Sequence, residues 1–283
     1  MVQIQPPVES LAPPRLPKEK LPTMYDLPSE YPEEPGLPDE FHDLQPELLR
    51  VTFCPPHYSP QRIFSGSDLN IYYDLDHPRW HKRPDWFGVV GVSRFYDETD
   101  LRLSYVIWQE EVIPTVVVEL LSPGTEQEDL GKTERDTDEP PTKWDVYEQI
   151  LQIPYYIVFS RYTNQLRVFV HQAGQYQELA LSEPRIWIPE LELGLGVWQG
   201  VYQGIERLWL RWYDAQSNWI PTEVEKTEAA EQRASEADLL LGEAQQQIGE
   251  AQQRASEAER RASEAEQRAE ALAQRLLDLG IEP

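Results

Sequence analysis

The chain has 283 residues, with 50 acidic against 25 basic side chains and a formal net charge of −25. A charge of this sign argues against a nucleic-acid coat protein, because phosphate binding draws on clustered Lys and Arg. Cys54, the single cysteine, excludes an intrachain disulfide and a thiolate zinc site, and no apolar run approaches the roughly 18 residues of a membrane span. The N-terminus shows no signal-peptide pattern, so a reducing cytoplasm is the expected location.

Residues 1–60 hold 14 of the 25 prolines and none of the 9 tryptophans. Such a segment lacks the aromatic mass for a core, so 1–37 is expected to be extended or disordered. Pro38 to Leu49 starts on proline and places Phe41, Leu44 and Leu48 at helical spacing, which predicts a helix docked on the core. The folded domain is then 38–221. Within it, strands are expected at Asp68–Asp74, Trp86–Val92, Leu103–Trp108 and Pro114–Leu121, the last being the most β-branched stretch. A polar, proline-punctuated loop (122–142) leads to a helix over Lys143–Gln152, with Trp144, Tyr147, Ile150 and Leu151 on its apolar side. Strands at Tyr155–Phe159 and Leu166–Val170 and a meander to Gly196 complete the pattern. This order predicts an α+β fold with a central mixed sheet flanked by helices.

From Thr222 the composition turns to Ala, Glu, Gln and Arg. Apolar residues recur from Ala230 to Leu279 in alternating steps of four and three, the seam of a coiled coil. With Ala255 and Ala262 at position a, Arg254 and Arg261 fall at g and Glu259 and Glu266 at e. The signs then match in a parallel pair, so residues 222–283 predict self-association, a homodimer, through 230–279. The alternative is a lone helix held by alanine propensity and i,i+4 ion pairs.

Carboxylates on buried strands need a reason, because an unpaired buried charge costs several kcal/mol. Asp85 stands at the start of WFGVV, and Glu119 interrupts Val116–Leu121. Brought together, two such groups form an all-oxygen pocket for Mg²⁺ or Mn²⁺. Lys143 and Lys132 are the candidate lysines that orient a water or offset charge on a phosphodiester. For Asp85 the plainer reading is a turn cap, and for Lys143 a surface pair with Asp145 or Glu148. The five histidines are read as structural or solvated, Ser122–Thr125 as a turn rather than a phosphate loop, and Glu40 as a solvated acid on a helix face.

Taken together, Lys82-Arg-Pro-Asp-Trp-Phe87, Val116-Val-Val-Glu-Leu-Leu-Ser-Pro-Gly-Thr125, then Asp129, Lys143, Tyr147 and Ile153-Pro-Tyr-Tyr-Ile-Val158 resemble the Uma2 family. That family consists of restriction-endonuclease-like proteins of the PD-(D/E)XK nuclease superfamily. The resemblance covers about residues 38–221, and the closing LLDLGIEP is similar to the end of members with a C-terminal coil. It implies a restriction-endonuclease-like core and metal-dependent phosphodiester hydrolysis, with Asp85 and Glu119 as catalytic and metal-binding acids. The superfamily pattern would put lysine two residues after Glu119, where this chain has Leu121. The resemblance implies that Lys143, on the following helix, takes that role.

Charge bears on the substrate. Residues 61–221 carry 14 basic and 25 acidic side chains, seven of the acids between Glu126 and Glu139. Such a field disfavours DNA, and Lys82, Arg83, Arg94 and Arg102 form the one visible basic cluster. Three functions compete: a Mg²⁺-dependent DNA endonuclease, an inactive nuclease fold used as a binding module, and a coil-assembled scaffold.

Overall fold

The structure is a computed structural model that describes residues 39–122, 124–133 and 139–278. The reading of 1–37 lies outside these residues, as do Leu279 and the chain end. The chain divides into two compact units between Ile220 and Pro221.

In the first unit, helix α1 (Glu40–Thr52) begins where the Asp39 side chain accepts the His42 N–H, and it buries Phe41, Leu48 and Leu49. Strands β1 (Ile63–Ser67), β2 (Ile71–Tyr72), β3 (His81–Lys82), β4 (Trp86–Val90) and β5 (Tyr105–Val106) follow, then a short helix α2 (Ile107–Glu110) and β6 (Val116–Leu120). Helix α3 (Glu126–Asp129) and helix α4 (Lys143–Asp145) precede a π turn, Val146–Ile150. Strands β7 (Tyr155–Phe159), β8 (Leu166–Gln172), β9 (Gln175–Glu178), β10 (Arg185–Ile188), β11 (Leu193–Tyr202) and β12 (Ile205–Tyr213) complete the unit.

The central sheet has the order β1-β4-β6-β7-β8-β9. Only β6 and β7 pair in parallel; their neighbours pair antiparallel, so the sheet is mixed. A parallel pair is stable where both faces are covered, and every residue of β6 and β7 is buried. On one face Trp86, Val118 and Ile157 pack with α1 and the antiparallel β10-β11-β12 sheet. On the other, Phe87, Val117, Tyr156 and Val158 pack with Val146 and Tyr147 of the π turn and with Ile71 and Tyr105 of the small β3-β2-β5 sheet. The period of two along β6 therefore puts Glu119 on the Val117 face.

The α+β class with its mixed central sheet and long terminal helix agrees with the sequence reading, while several element bounds differ. The run expected as one strand from Asp68 to Asp74 holds only the two residues of β2, because Asp68 turns the backbone at φ 50. Leu103–Trp108 splits between β5 and α2. The helix expected at Lys143–Gln152 keeps its start, where Thr142 and Asp145 form a reciprocal capping box. It then widens into the π turn, closed by Leu151 N–H on Val146 O at 2.8 Å. Strands β1, β3 and β12 lie outside the strands that the sequence pattern predicts.

The second unit contains helix α5 (Glu223–Asp278), 56 residues with none buried. Among the described residues, no helix is long and apolar enough to cross a membrane.

Gln45 ties α1 to the edge strand β12. Its side-chain nitrogen donates to Leu210 O, and its oxygen accepts from Leu210 N, each at 2.8 Å and fully buried. Gln45→Leu keeps the volume but strands two buried backbone groups, each worth about 1–3 kcal/mol when unpaired. The expected loss is about 2–4 kcal/mol, read as a lower urea midpoint with an unchanged m-value.

Candidate active site

One register step beyond the ladder pair Trp86–Val118, the backbone places Asp85 opposite Glu119. The Asp85 N–H lies 3.4 Å from Glu119 Oε2, and Asp85 Oδ2 accepts the Leu120 N–H at 2.6 Å. The two acids thus stand at the same end of neighbouring strands. Glu119 is fully buried, while Asp85 is partly exposed and lines an open cleft of about 700 Å³.

Lys143 does not make the surface pairs with Asp145 or Glu148 that its sequence neighbourhood suggests. Its Nζ stands 2.9 Å from Glu119 Oε2 and 3.2 Å from Asp129 Oδ1, with 18% of the side chain exposed. Four residues on, Tyr147 donates its hydroxyl to Glu119 Oε1 at 3.1 Å. Lys143 and Tyr147 share a helix face, so each takes one oxygen of the same carboxylate. The capping box at Thr142 and a contact of Lys143 N–H with Glu128 Oε1 (3.3 Å) hold this helix start in place. Tyr156 donates to the Asp129 carbonyl at 2.8 Å and fixes α3 against the sheet. Lys132, the alternative lysine, is exposed in the loop after α3. Leu121, where the superfamily pattern puts lysine, is packed beside the second core.

Three carboxylates and one ammonium leave the cluster with excess negative charge. Burial raises the Glu119 pKa, Lys143 opposes this, and Asp129 and Asp85 add to it, so the group sits well above the usual carboxylate range. Burial likewise raises Asp129, partly offset by Lys143 and the Thr125 hydroxyl. Burial alone would lower Lys143, but Asp129, Glu119 and Asp85 outweigh it and hold the amine firmly protonated. Among the described residues, no three His, Cys, Asp or Glu side chains gather closely enough to form a ready metal cage. The chemistry of the donors is nonetheless that of a hard divalent cation: all oxygen, mostly buried, and short of positive charge.

Two further contributors carried no strong signal in the sequence. Asp129 belongs to the string that resembles Uma2, but its role emerges only when the fold brings Lys143 Nζ to its carboxylate. His42, read as structural or solvated, places Nε2 3.0 Å from Leu120 O and Nδ1 2.9 Å from Asp39 Oδ1. Both partners accept, so the geometry satisfies a ring that donates from both nitrogens. The Leu120 peptide is therefore held at its carbonyl by His42 and at its N–H by Asp85. Asp39 in turn is paired with Arg161. Glu40 is exposed, as expected, and lines the same cleft as Asp85.

The four basic residues that stand out in the sequence each have a partner in the fold. Lys82 is buried with Nζ 3.5 Å from Glu128, Arg83 pairs with Asp68 at 2.9 Å, and Arg102 is buried against Glu110 at 2.7 Å. Arg94 has its guanidinium over the Phe95 ring.

A family model, Uma2, described as "Putative restriction endonuclease", matches residues 15–202. That is about two thirds of the chain and includes Asp85, Glu119, Asp129 and Lys143; the chain belongs to this family and has its restriction-endonuclease-like fold. No curated protein matches the chain.

The His42 clamp gives a pH signature. Burial would lower its pKa, but the Asp39 hydrogen bond, the Asp85 charge and the Leu120 carbonyl raise it above 6.5. For Asp39, burial is outweighed by the His42 hydrogen bond and the His42 and Arg161 charges, which bring it from 3.8 to about 2. A raised histidine stabilises the fold fully below its ordinary value and loses that contribution as pH rises through the elevated one. The lowered carboxyl contributes above its ordinary value and fades as pH falls toward about 2. Melting temperature followed from pH 6.5 upward should therefore fall faster in the native chain than in His42→Gln. Parallel curves would show that the ring is not charged in the fold.

Proposed function

We propose that this Uma2 protein is a divalent-metal-dependent nuclease that hydrolyses phosphodiester bonds of DNA in the cytoplasm. Asp85 and Glu119 would hold Mg²⁺ or Mn²⁺, and Lys143 is the catalytic ammonium. The observation that carries this reading is the placement of Lys143 Nζ between Glu119 and Asp129, beside a cleft-lining Asp85. Once bound, the ion would supply Lewis acidity toward a phosphate oxygen.

The chain's own groups do the rest. Asp85 faces the cleft and is aimed by the Leu120 N–H, so it is the group that meets the substrate side first. Tyr147 fixes the rotamer of Glu119 through Oε1 and leaves Oε2 to Lys143 and the Asp85 side. Lys143 keeps its proton against three acids and offsets negative charge that builds on the phosphoryl oxygens. With Leu121 at the motif position, the helix-borne amine of Lys143 is the one that reaches Glu119.

A second reading, a nuclease fold serving as a binding module, is favoured by the charge of the cleft. Its lining carries Asp39, Glu40, Asp43, Glu47, Asp68 and Asp85 against Arg50 and His42. Such a wall repels a polyanion unless cations or a partner neutralise it.

Cleavage of DNA in the presence of Mn²⁺ tests the choice. Glu119→Gln should reduce the rate by about 10²-fold or more, the scale of removing one electrostatic stabiliser. It should not lower the melting temperature, because the fold already disfavours the ionised form of Glu119. Lys143→Met should instead destabilise the protein by about 3–5 kcal/mol, the usual cost of breaking a buried ion pair. Cleavage that survives Glu119→Gln removes the assignment, and a native chain inactive with every metal and DNA form supports the binding module.

A further inference from the structure

Helix α5 runs unbroken through 56 residues, about 84 Å at 1.5 Å per residue. Its large apolar side chains stand in the open, and beside Val224, Leu239, Leu240 and Leu277, which lie off it, Leu241 and Ile248 (each 57% exposed) and Leu272 (63% exposed) fall on one line. Every seventh residue from Ala234 to Leu276 is apolar, and so is every seventh from Ala230 to Leu272. Seven residues per two turns is the period of a left-handed supercoil, which keeps such a line facing a second helix.

The flanks of the line say which helix. Residues just before the first series, the g positions, include Arg233, Arg254, Arg261, Arg268 and Arg275 and no acid. Those just after the second series, the e positions, include Glu231, Asp238, Glu259 and Glu266 and no base. From this segregation we propose that α5 pairs in parallel with α5 of a second copy of the chain. In a parallel pair each g residue meets the e residue five positions on in its partner, which matches Arg233 with Asp238, Arg254 with Glu259 and Arg261 with Glu266. In an antiparallel pair g meets g and e meets e, so arginine would face arginine and glutamate would face glutamate. The charges therefore specify both the occupant, an identical helix, and its direction.

The helix's own ion pairs leave these groups available. Arg254 reaches Glu250 at 3.3 Å with 81% of its side chain exposed, and the Arg260–Glu264 pair at 3.8 Å lies outside the e and g positions. Gly242 and Gly249 follow Leu241 and Ile248 on the outer side, where an added Cβ meets nothing within 4 Å. The inference rests on α5 alone and goes beyond the catalytic reading. Parallel pairing carries both N-terminal units at the same end of the coil, the arrangement that lets one assembly engage two sites.

Sedimentation equilibrium of the full chain at tens of micromolar tests it. The native protein should run at twice its 33.0 kDa chain mass, and Gly242→Ala should do the same. Arg254→Glu with Arg261→Glu, and separately Glu259→Arg with Glu266→Arg, should each weaken association by about tenfold or more through like-charge contacts. An equimolar mixture of the two should recover it. With Cys54→Ser in the background, Leu272→Cys should form a same-site disulfide dimer on mild oxidation. Antiparallel helices cannot do so, because their two copies of position 272 lie at opposite ends. A monomeric native chain overturns the proposal. So does association untouched by the charge reversals, or a dimer in which Leu272→Cys yields no cross-link.

Discussion

The ammonium of Lys143, inserted between the carboxylates of Glu119 and Asp129, is the contact on which the site depends. At an effective dielectric of about 20, opposite charges about 3 Å apart attract by about 5–6 kcal/mol. Removing each ion from water costs several kcal/mol. One ammonium can therefore offset the desolvation of roughly one carboxylate, while Asp129 and Asp85 add repulsion that pushes Glu119 up. The fold sustains this imbalance with hydrogen bonds from Tyr147 and the Leu120 N–H and with apolar burial on both faces of β6. Such a cluster is a poor stabiliser and a good receptor for positive charge, which is why it reads as a site of chemistry.

Much of the frame was legible because it follows simple periodicities. The β-branched run at β6 with a lone Glu, the proline-led start of α1 and the heptads of α5 each announce themselves locally. The helix-borne Lys143 was legible as one of two candidate lysines, and the Uma2 resemblance favoured it over Lys132, although its nearest neighbours Asp145 and Glu148 suggest an ordinary surface pair. Asp129 and His42 were not legible as site residues, because each gains its role from contacts made across long stretches of chain. His42 meets Leu120 78 positions away. Strand β12 escaped notice for a related reason. Its alternation is broken by Arg211, buried with its guanidinium on the Ile220 carbonyl and over the Trp198 ring. The pairing of Lys82, Arg83 and Arg102 was not legible, because adjacency in sequence does not reveal that Glu128, Asp68 and Glu110 fold onto those side chains.

Family membership and geometry bear on different parts of the account. The Uma2 match covers the sheet and the cluster and ends with the last residue of β11, before β12 and the whole of α5. The terminal helix thus lies outside the matched region. The acidic cleft is the feature least expected of a DNA-cleaving surface. A long-range field of this sign slows the approach of a polyanion and makes a local cation the condition for any productive contact.

That condition can be measured directly as metal-induced stabilisation of the full chain. A ligand bound only by the native state raises stability in proportion to the logarithm of its concentration over its dissociation constant. The account predicts that Mn²⁺ or Mg²⁺ raises the melting temperature and that Asp85→Ala abolishes the rise while leaving the chain folded without metal. No rise in the native chain, or an equal rise in Asp85→Ala, would contradict it, the latter placing the ion elsewhere on the acidic surface.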